Sequence, residues 1–150
     1  MNKFIVILFL MTSFVFATDF IDGKDLREVG KDSISIGTGE NIEYIFIDPD
    51  CKYSQRFLTK IVNNKEALAY TTYKFVLAKL DKFNSNAKIN YIRSAKDPKE
   101  ALISFMVKKE YPSDFNCFAS RTSIESAKIN TFCDTNKIKS RPFAMLADDF

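Results

Sequence analysis

The chain has 150 residues, with 22 basic and 19 acidic side chains and a formal net charge of +3. Lysines and acids alternate along it, which is typical of an ordinary solvated surface and does not predict nucleic-acid binding. The absence of histidine excludes Ser-His-Asp triads, Cys-His nucleophile pairs and histidine-based zinc sites. Three cysteines are too few for a four-thiolate zinc site, so we expect no metal and no cofactor.

The first residues predict an export signal. Met1–Lys3 are followed by the apolar run Phe4–Phe16 and by the small residue Ala17. This order is typical of a secretory signal peptide, and the run is shorter than the roughly 20 apolar residues of a membrane-spanning helix. We therefore expect residues 1–17 to be cleaved, a periplasmic location, and membrane contact only through the signal. An uncleaved anchor or a buried strand is the alternative.

Residues 18–150 have the length of one domain with a single core. Residues 18–40 are polar and hold all four glycines, and we interpret them as an N-terminal lead-in segment with a short strand near Ser33–Ile36. The β-branched and aromatic residues of Asn41–Ile47 predict a buried strand. The three residues after this strand, Asp48-Pro49-Asp50, are expected to end it.

Cys51 follows that turn, and the apolar spacing of Ser54–Asn63 predicts a helix directly after it. The later predictions, in chain order, are helix Lys65–Thr72, strand Tyr73–Leu80, helix Asn84–Ala95, a helix capped by Asp97 with Pro98 at its first position, a helix opened by a Thr122–Glu125 capping box and ending near Cys133, and strand Phe143–Ala147. The order predicts an α/β domain with helices inserted between the second and third core strands.

A cysteine at the start of a helix is the residue with the clearest chemical potential. The unpaired N–H groups and the positive end of the helix dipole favour thiolate over thiol, and such positions can lower a cysteine pKa from about 8.5 to roughly 3.5–7.5. Lys52 would add to this effect at Cys51, whereas Asp48 and Asp50 would oppose it by repulsion. We expect the Cys51 sulfur to be exposed, and the alternative is that Cys51 is an inert buried thiol.

The segment Ile45–Ser54 (IFIDPDCKYS) resembles the active-site segment of the thioredoxin-fold periplasmic disulfide isomerases and reductases of the DsbC/DsbG type. The family pattern is Phe-x-Asp-Pro-x-Cys-x-x-Cys. Ile92–Met106 is similar to the family's helical insertion, and Pro142 stands where the family has a cis-proline loop beside the active cysteine. The resemblance implies a thioredoxin-like domain over residues 41–150, with Cys51, Ser54 and Pro142 in the catalytic site and Tyr53 and Arg141 in contact with substrate.

Three departures from the family qualify this interpretation. Ser54 stands where the family has its second active-site cysteine, which leaves a monothiol site whose sulfur Ser54 is expected to hydrogen-bond. Arg141 stands where the family usually has a small residue, and its guanidinium is expected to favour the Cys51 thiolate. The family's last strand and C-terminal helix, which normally cover the sheet, have no apparent counterpart after Phe143–Ala147.

The other two cysteines, Cys117 and Cys133, flank a predicted helix. The resemblance implies a structural disulfide in this region, although Ser94 replaces the family's first partner. A Cys117–Cys133 bond would close a loop of about 15 residues, contributing up to roughly 3 kcal/mol of stability in the chain-entropy model. The sequence leaves this pairing open.

Two functions fit these observations. The first is a thiol–disulfide exchange protein of the periplasm, whose partners are cysteine-containing exported proteins and a reducing thiol. The second is a non-catalytic thioredoxin-like binding or accessory module of the cell envelope. A peptide-binding or adhesion domain without redox ancestry is a third interpretation, which a thioredoxin-type sheet would exclude.

Overall fold

A computed structural model describes residues 23–116 and 123–146. The predicted signal peptide, Thr122 and Cys117 lie outside the described residues. The strands are β1 (Ile34–Ile36), β2 (Asn41–Ile47), β3 (Thr71–Leu77) and β4 (Phe143–Leu146). The helices are α1 (Gly23–Val29), a 3-10 turn (Gly30–Asp32), α2 (Lys52–Val62), α3 (Lys65–Tyr70), α4 (Asn86–Ser94), α5 (Pro98–Ile103), its π-helical continuation (Ser104–Lys108) and α6 (Ile124–Thr135).

The four strands form one sheet in the order β1-β3-β2-β4. β2 and β3 run parallel and are joined by α2 and α3, whereas β1 and β4 are antiparallel to their neighbours. The helices α4, α5 and α6 lie between β3 and β4 along the chain, which confirms the predicted helical insertion. Since β2 and β3 are parallel, the residues that follow their carboxyl ends meet at one edge of the sheet.

Two apolar clusters cover the two faces of this sheet. Ile45 and Ile47 of β2 pack with α2, α4 and α5, whereas Tyr44 and Phe46 point to the opposite face. On that second face, Phe46 stacks on Phe132 of α6 with 5.6 Å between ring centroids. The sheet is therefore a buried middle layer, and the chain's many aromatic residues fill both sides of it.

Two helices with predicted caps begin at capping residues, and one of these caps lies one residue later than predicted. The Asp97 side chain accepts a hydrogen bond from Glu100 N at 3.0 Å and Pro98 stands at the first helical position, as predicted. At α6 the cap is Ser123, whose Oγ accepts from Ser126 N at 3.1 Å. The N-cap is therefore one residue later than the predicted Thr122, and it is a single cap and not a capping box, because Ser126 stands where a box needs Glu or Gln.

Several element bounds differ from those predicted. The helix predicted over Lys65–Thr72 ends at Tyr70, because Thr71 already pairs with Asn41 in the sheet. Residues 23–32 of the lead-in segment are helical, which the sequence did not indicate, and β1 pairs with β3 in the main sheet. Within the described ranges, no helix is long and apolar enough to cross a membrane.

Candidate thiol site

Cys51 is the N-cap residue of α2, one turn after β2 ends. Its N–H donates to the Asp48 carbonyl at 3.0 Å, and its carbonyl accepts from Gln55 N at 3.0 Å as the first bond of the helix. The strand ends here because the Asp-Pro-Asp segment turns the chain at the sheet edge. The thiol therefore lies where the positive end of the helix dipole is strongest.

The Cys51 sulfur lies against the proline loop. Its Sγ donates to the Arg141 carbonyl oxygen at 3.3 Å, and the Arg141–Pro142 peptide bond is cis, as the resemblance implied. The expectation of an exposed sulfur is wrong, because Cys51 is only 3% exposed. Cys51 nevertheless belongs to neither apolar cluster. Its thiol lies at the end of the sheet and is covered there by the carbonyl of the proline loop.

Ser54 has a different partner from the one predicted. Its side chain is fully buried and its Oγ accepts a hydrogen bond from Asp48 N at 3.3 Å. In the described part of the chain this hydroxyl therefore supports the turn before Cys51, and its predicted bond to the Cys51 sulfur is not seen. The Ser54 hydroxyl bonds here because the buried Asp48 N–H needs an acceptor that the turn itself does not supply.

The Arg141 guanidinium also points away from its predicted position. It donates to the carbonyl oxygens of Ala78 (3.2 Å), Ile138 (2.9 Å) and Ser140 (2.8 Å), and the residue is 5% exposed. These bonds anchor the loop to the end of β3, so the main chain of Arg141 meets the Cys51 thiol while its side chain is bound elsewhere. The Arg141 side chain therefore holds the loop in place, and its predicted effect on the Cys51 thiolate stays a prediction.

Cys133 lies near the Arg141 guanidinium, on the face of the sheet where Phe46 packs on Phe132. Burial raises the pKa of Cys133 to about 11, while the Arg141 charge works against the shift and Asp134 adds to it. Cys133 is 2% exposed and forms no disulfide with another cysteine among the described residues. Its predicted disulfide with Cys117 stays a prediction, since Cys117 lies outside the described residues.

Asp48 organises the turn that carries Cys51. Its Oδ1 accepts from Asp50 N at 2.8 Å, and its Oδ2 accepts from Leu80 N at 2.6 Å and from Ser85 Oγ at 3.1 Å. Burial raises the pKa of this carboxyl, and the hydrogen bonds oppose that shift. The sequence indicated that Asp48 helps to end the strand and repels the thiolate, but not that its side chain links the turn to the segment after β3.

Asp50 is paired with a cation from the helical insertion. Lys88 Nζ forms an ion pair with Asp50 Oδ1 and lies 5.3 Å from the centroid of the Tyr111 ring. Burial disfavours the charged ammonium, but the hydrogen bond and the charge of Asp50, together with Tyr111, outweigh it, so the pKa of Lys88 is raised. The repulsion between Asp50 and a Cys51 thiolate is thus offset by a neighbouring positive charge.

Tyr53 and Pro142 line one groove of about 770 Å³, which also includes Lys52, whereas the neighbouring Cys51 does not line it. Tyr53 is 68% exposed, and its contact with substrate stays a prediction. The structure therefore brings Cys51, Tyr53, Pro142 and the Arg141 main chain together. No cluster of three or more metal-binding side chains occurs among the residues that the structure describes.

The parallel β2-α2-β3 unit, the antiparallel β4 and the cis-proline loop beside a helix-capping cysteine define a thioredoxin fold. Solved structures with this fold include DsbG of Helicobacter pylori, with a TM-score of 0.58 and 20% identity over 82% of this chain. A structure of Proteus mirabilis ScsC in a transitional conformation has a TM-score of 0.56 and 18% identity, covering 84% of this chain and 68% of ScsC. A linker-deletion variant of ScsC has a TM-score of 0.55 and 18% identity, covering 85% of this chain and 72% of the variant.

These likenesses confirm the predicted resemblance at the level of the fold. The chain spans 59% of the length of the DsbG that it matches. The sequence matches no protein-family model and no curated protein. A thioredoxin fold is therefore established, while the chemistry of this particular site has to be argued from its own residues.

Proposed function

We propose that this chain is a monothiol disulfide-exchange protein of the periplasm that rearranges client disulfides through Cys51. The observation that carries the proposal is the position of the Cys51 sulfur, which lies at the start of α2 and 3.3 Å from the Arg141 carbonyl of the proline loop. The resemblance of Ile45–Ser54 to the active-site segment of periplasmic isomerases supports both the activity and the location.

The proposed reaction needs two exchanges. The Cys51 thiol loses its proton to solvent, and the thiolate attacks one sulfur of a client disulfide, so that a mixed disulfide forms and the other client sulfur leaves as a thiolate. A second client thiolate then attacks the client sulfur of the mixed disulfide, which releases Cys51 as thiolate. No electrons are gained or lost overall, so the reaction requires no cofactor.

Attack requires the thiol to leave the loop carbonyl. Cys51 is 3% exposed, so a client sulfur can approach only after the Sγ–Arg141 hydrogen bond breaks. The bond is a weak one to sulfur, and ionisation of the thiol removes its donor. Rotation of the freed sulfur toward the groove that Pro142 and Tyr53 line is the motion that the geometry requires.

A second candidate function is binding of envelope proteins without exchange. The burial of Cys51 and the serine at position 54 favour it, because both reduce the redox competence of the site. In that case the groove beside Pro142 would hold a client segment and the thiol would be inert.

The test separates isomerisation from net redox chemistry. Purified protein with reduced thiols is mixed with ribonuclease whose disulfides have been scrambled, and recovery of ribonuclease activity is followed. We expect recovery at least about tenfold above that of protein blocked with iodoacetamide, together with reduction of insulin no faster than the reductant alone. Equal recovery by the blocked and unblocked proteins contradicts the exchange function and leaves the binding module.

A further inference from the structure

The charged side chains that line the groove beside Pro142 are all positive. Its lining includes Lys52, Arg56 and Lys60 from α2 and Lys109 from the segment after the π-helix, together with Tyr53, Phe57 and Pro142. Among the described residues that line it, none is acidic. Residues 51–65 contain four basic side chains and no carboxylate, so the surface next to the thiol departs from the alternating pattern of the rest of the chain.

The three cations of α2 lie in a row. Lys52, Arg56 and Lys60 are spaced four apart, which places them on one face of the helix and roughly 12 Å from first to last at 1.5 Å per residue. Like charges at this spacing destabilise a helix by about 0.2–0.5 kcal/mol per pair. The row therefore does not contribute to the stability of α2 by itself.

These cations have no carboxylate partners within the described ranges. The ion pairs found there join Glu28 to Lys31, Asp50 to Lys88 and Glu100 to Lys108. A solvated helix face is the usual explanation for surface lysines, and α1 illustrates it, because Lys24, Asp25, Arg27 and Glu28 mix both signs. The α2 row is different because it has a single sign and borders a groove with aromatic side chains.

Lys109 brings a fourth positive charge from a second element. Its backbone is left-handed (φ 61°), and its Nζ donates to the Met106 carbonyl at 2.8 Å. Burial and the nearby charge of Lys88 lower the pKa of Lys109, while Asp50 opposes the shift. An additional anion in the groove would therefore relieve repulsion that the free protein contains.

We infer that this groove selects client segments with acidic residues near the cysteine that exchanges with Cys51. The inference rests on the proposed function and adds a substrate class to it. An extended segment rises about 3.3 Å per residue, so the 12 Å row of cations corresponds to roughly four client residues. The preferred client has aspartate or glutamate within about four positions of its reacting cysteine.

The test uses three disulfide-linked peptide dimers of equal length, whose single cysteine is flanked by glutamates, by glutamines or by lysines. The rate at which Cys51 forms a mixed disulfide is followed by mass spectrometry, with Cys51→Ser as the blank. We expect the glutamate dimer to react about tenfold faster than the glutamine dimer at low salt, and the ratio to approach one near 1 M salt.

Paired variants distinguish the groove from the overall charge. Arg56→Gln with Lys60→Gln is expected to reduce the glutamate preference at least threefold. Lys96→Gln with Lys99→Gln removes the same charge from exposed positions outside the groove and should leave the preference unchanged. Equal loss in both double variants overturns the inference, because net charge alone would then explain the preference.

The remaining outcomes are also decisive. Equal rates for all three dimers overturn the inference and leave the proposed function intact, whereas no mixed disulfide with any dimer overturns the proposed function itself. Vesicles of phosphatidylglycerol serve as a second arm. Vesicle binding that the groove variants abolish, without any glutamate preference, assigns the cations to a membrane surface and overturns the inference.

Discussion

Replacing Ser54 with cysteine is expected to give the protein a net disulfide reductase activity at least about tenfold above that of the wild-type chain. Positions 51 and 54 are the N-cap and the third residue of α2, and helix geometry separates Cα atoms three residues apart by about 5 Å. This spacing is compatible with a disulfide, whose Cα atoms are usually 4.4–6.8 Å apart. A second thiolate at this position resolves the mixed disulfide on Cys51 and completes the transfer of two electrons.

The measurement is insulin reduction with dithiothreitol as the electron source, comparing wild type, Ser54→Cys and Ser54→Ala. The alanine variant tests whether loss of the Ser54 hydroxyl, which accepts from Asp48 N, changes the rate without adding a thiol. We expect only the cysteine variant to gain activity. A Ser54→Cys protein that forms a disulfide between positions 51 and 54 but reduces insulin no faster than wild type contradicts the proposed exchange chemistry.

Asp48→Ala is expected to lower the free energy of unfolding by about 3–5 kcal/mol. The substitution removes the acceptor of three hydrogen bonds, from Asp50 N, Leu80 N and Ser85 Oγ. An unsatisfied buried donor costs about 1–3 kcal/mol. Water that enters the vacated space can bond to some of the three donors, which reduces their total cost. The loss of these bonds also detaches the turn before Cys51 from the segment that follows β3. We therefore expect the reaction of Cys51 to become less specific among client disulfides.

Urea unfolding measures this change, and Asp48→Asn is the matched control. Asparagine keeps the size and one acceptor oxygen, so we expect a smaller loss, about 1–2 kcal/mol. If the alanine variant does not fold, the asparagine variant still tests the argument. A loss below about 0.5 kcal/mol in both variants would show that the Asp48 carboxylate does not hold the turn.

The elements that were predicted well are those whose local pattern decides their structure. Asn41–Ile47 is a strand with the predicted bounds because the aromatic and β-branched residues of its second half, Tyr44–Ile47, are buried in the middle of the sheet. Asp97 and Pro98 were recognised because capping depends on neighbouring residues only. The proline loop was placed beside Cys51 through the resemblance, and the 3.3 Å contact between Cys51 and Arg141 agrees with it.

The errors concern side chains whose partners are distant along the chain. The Arg141 guanidinium binds the Ala78 carbonyl, 63 positions away, and no local pattern shows which buried carbonyls lack a donor. The burial of Cys51 was missed for the same reason, because the loop that covers it comes 90 positions later. Helix α1 was missed because its seven residues include only two large apolar side chains, which leaves little periodicity to read.

The most direct test of the account is the site at which the native protein reacts with glutathione disulfide. Native protein and urea-unfolded protein are treated in parallel, acid-quenched and digested, and each cysteine is assigned by peptide mass spectrometry. We predict one glutathione on Cys51 in the native protein and none on Cys133, whose burial raises the thiol pKa to about 11. Native Cys51 that stays unmodified, while the unfolded chain reacts there readily, would contradict the claim that this thiol exchanges with disulfides.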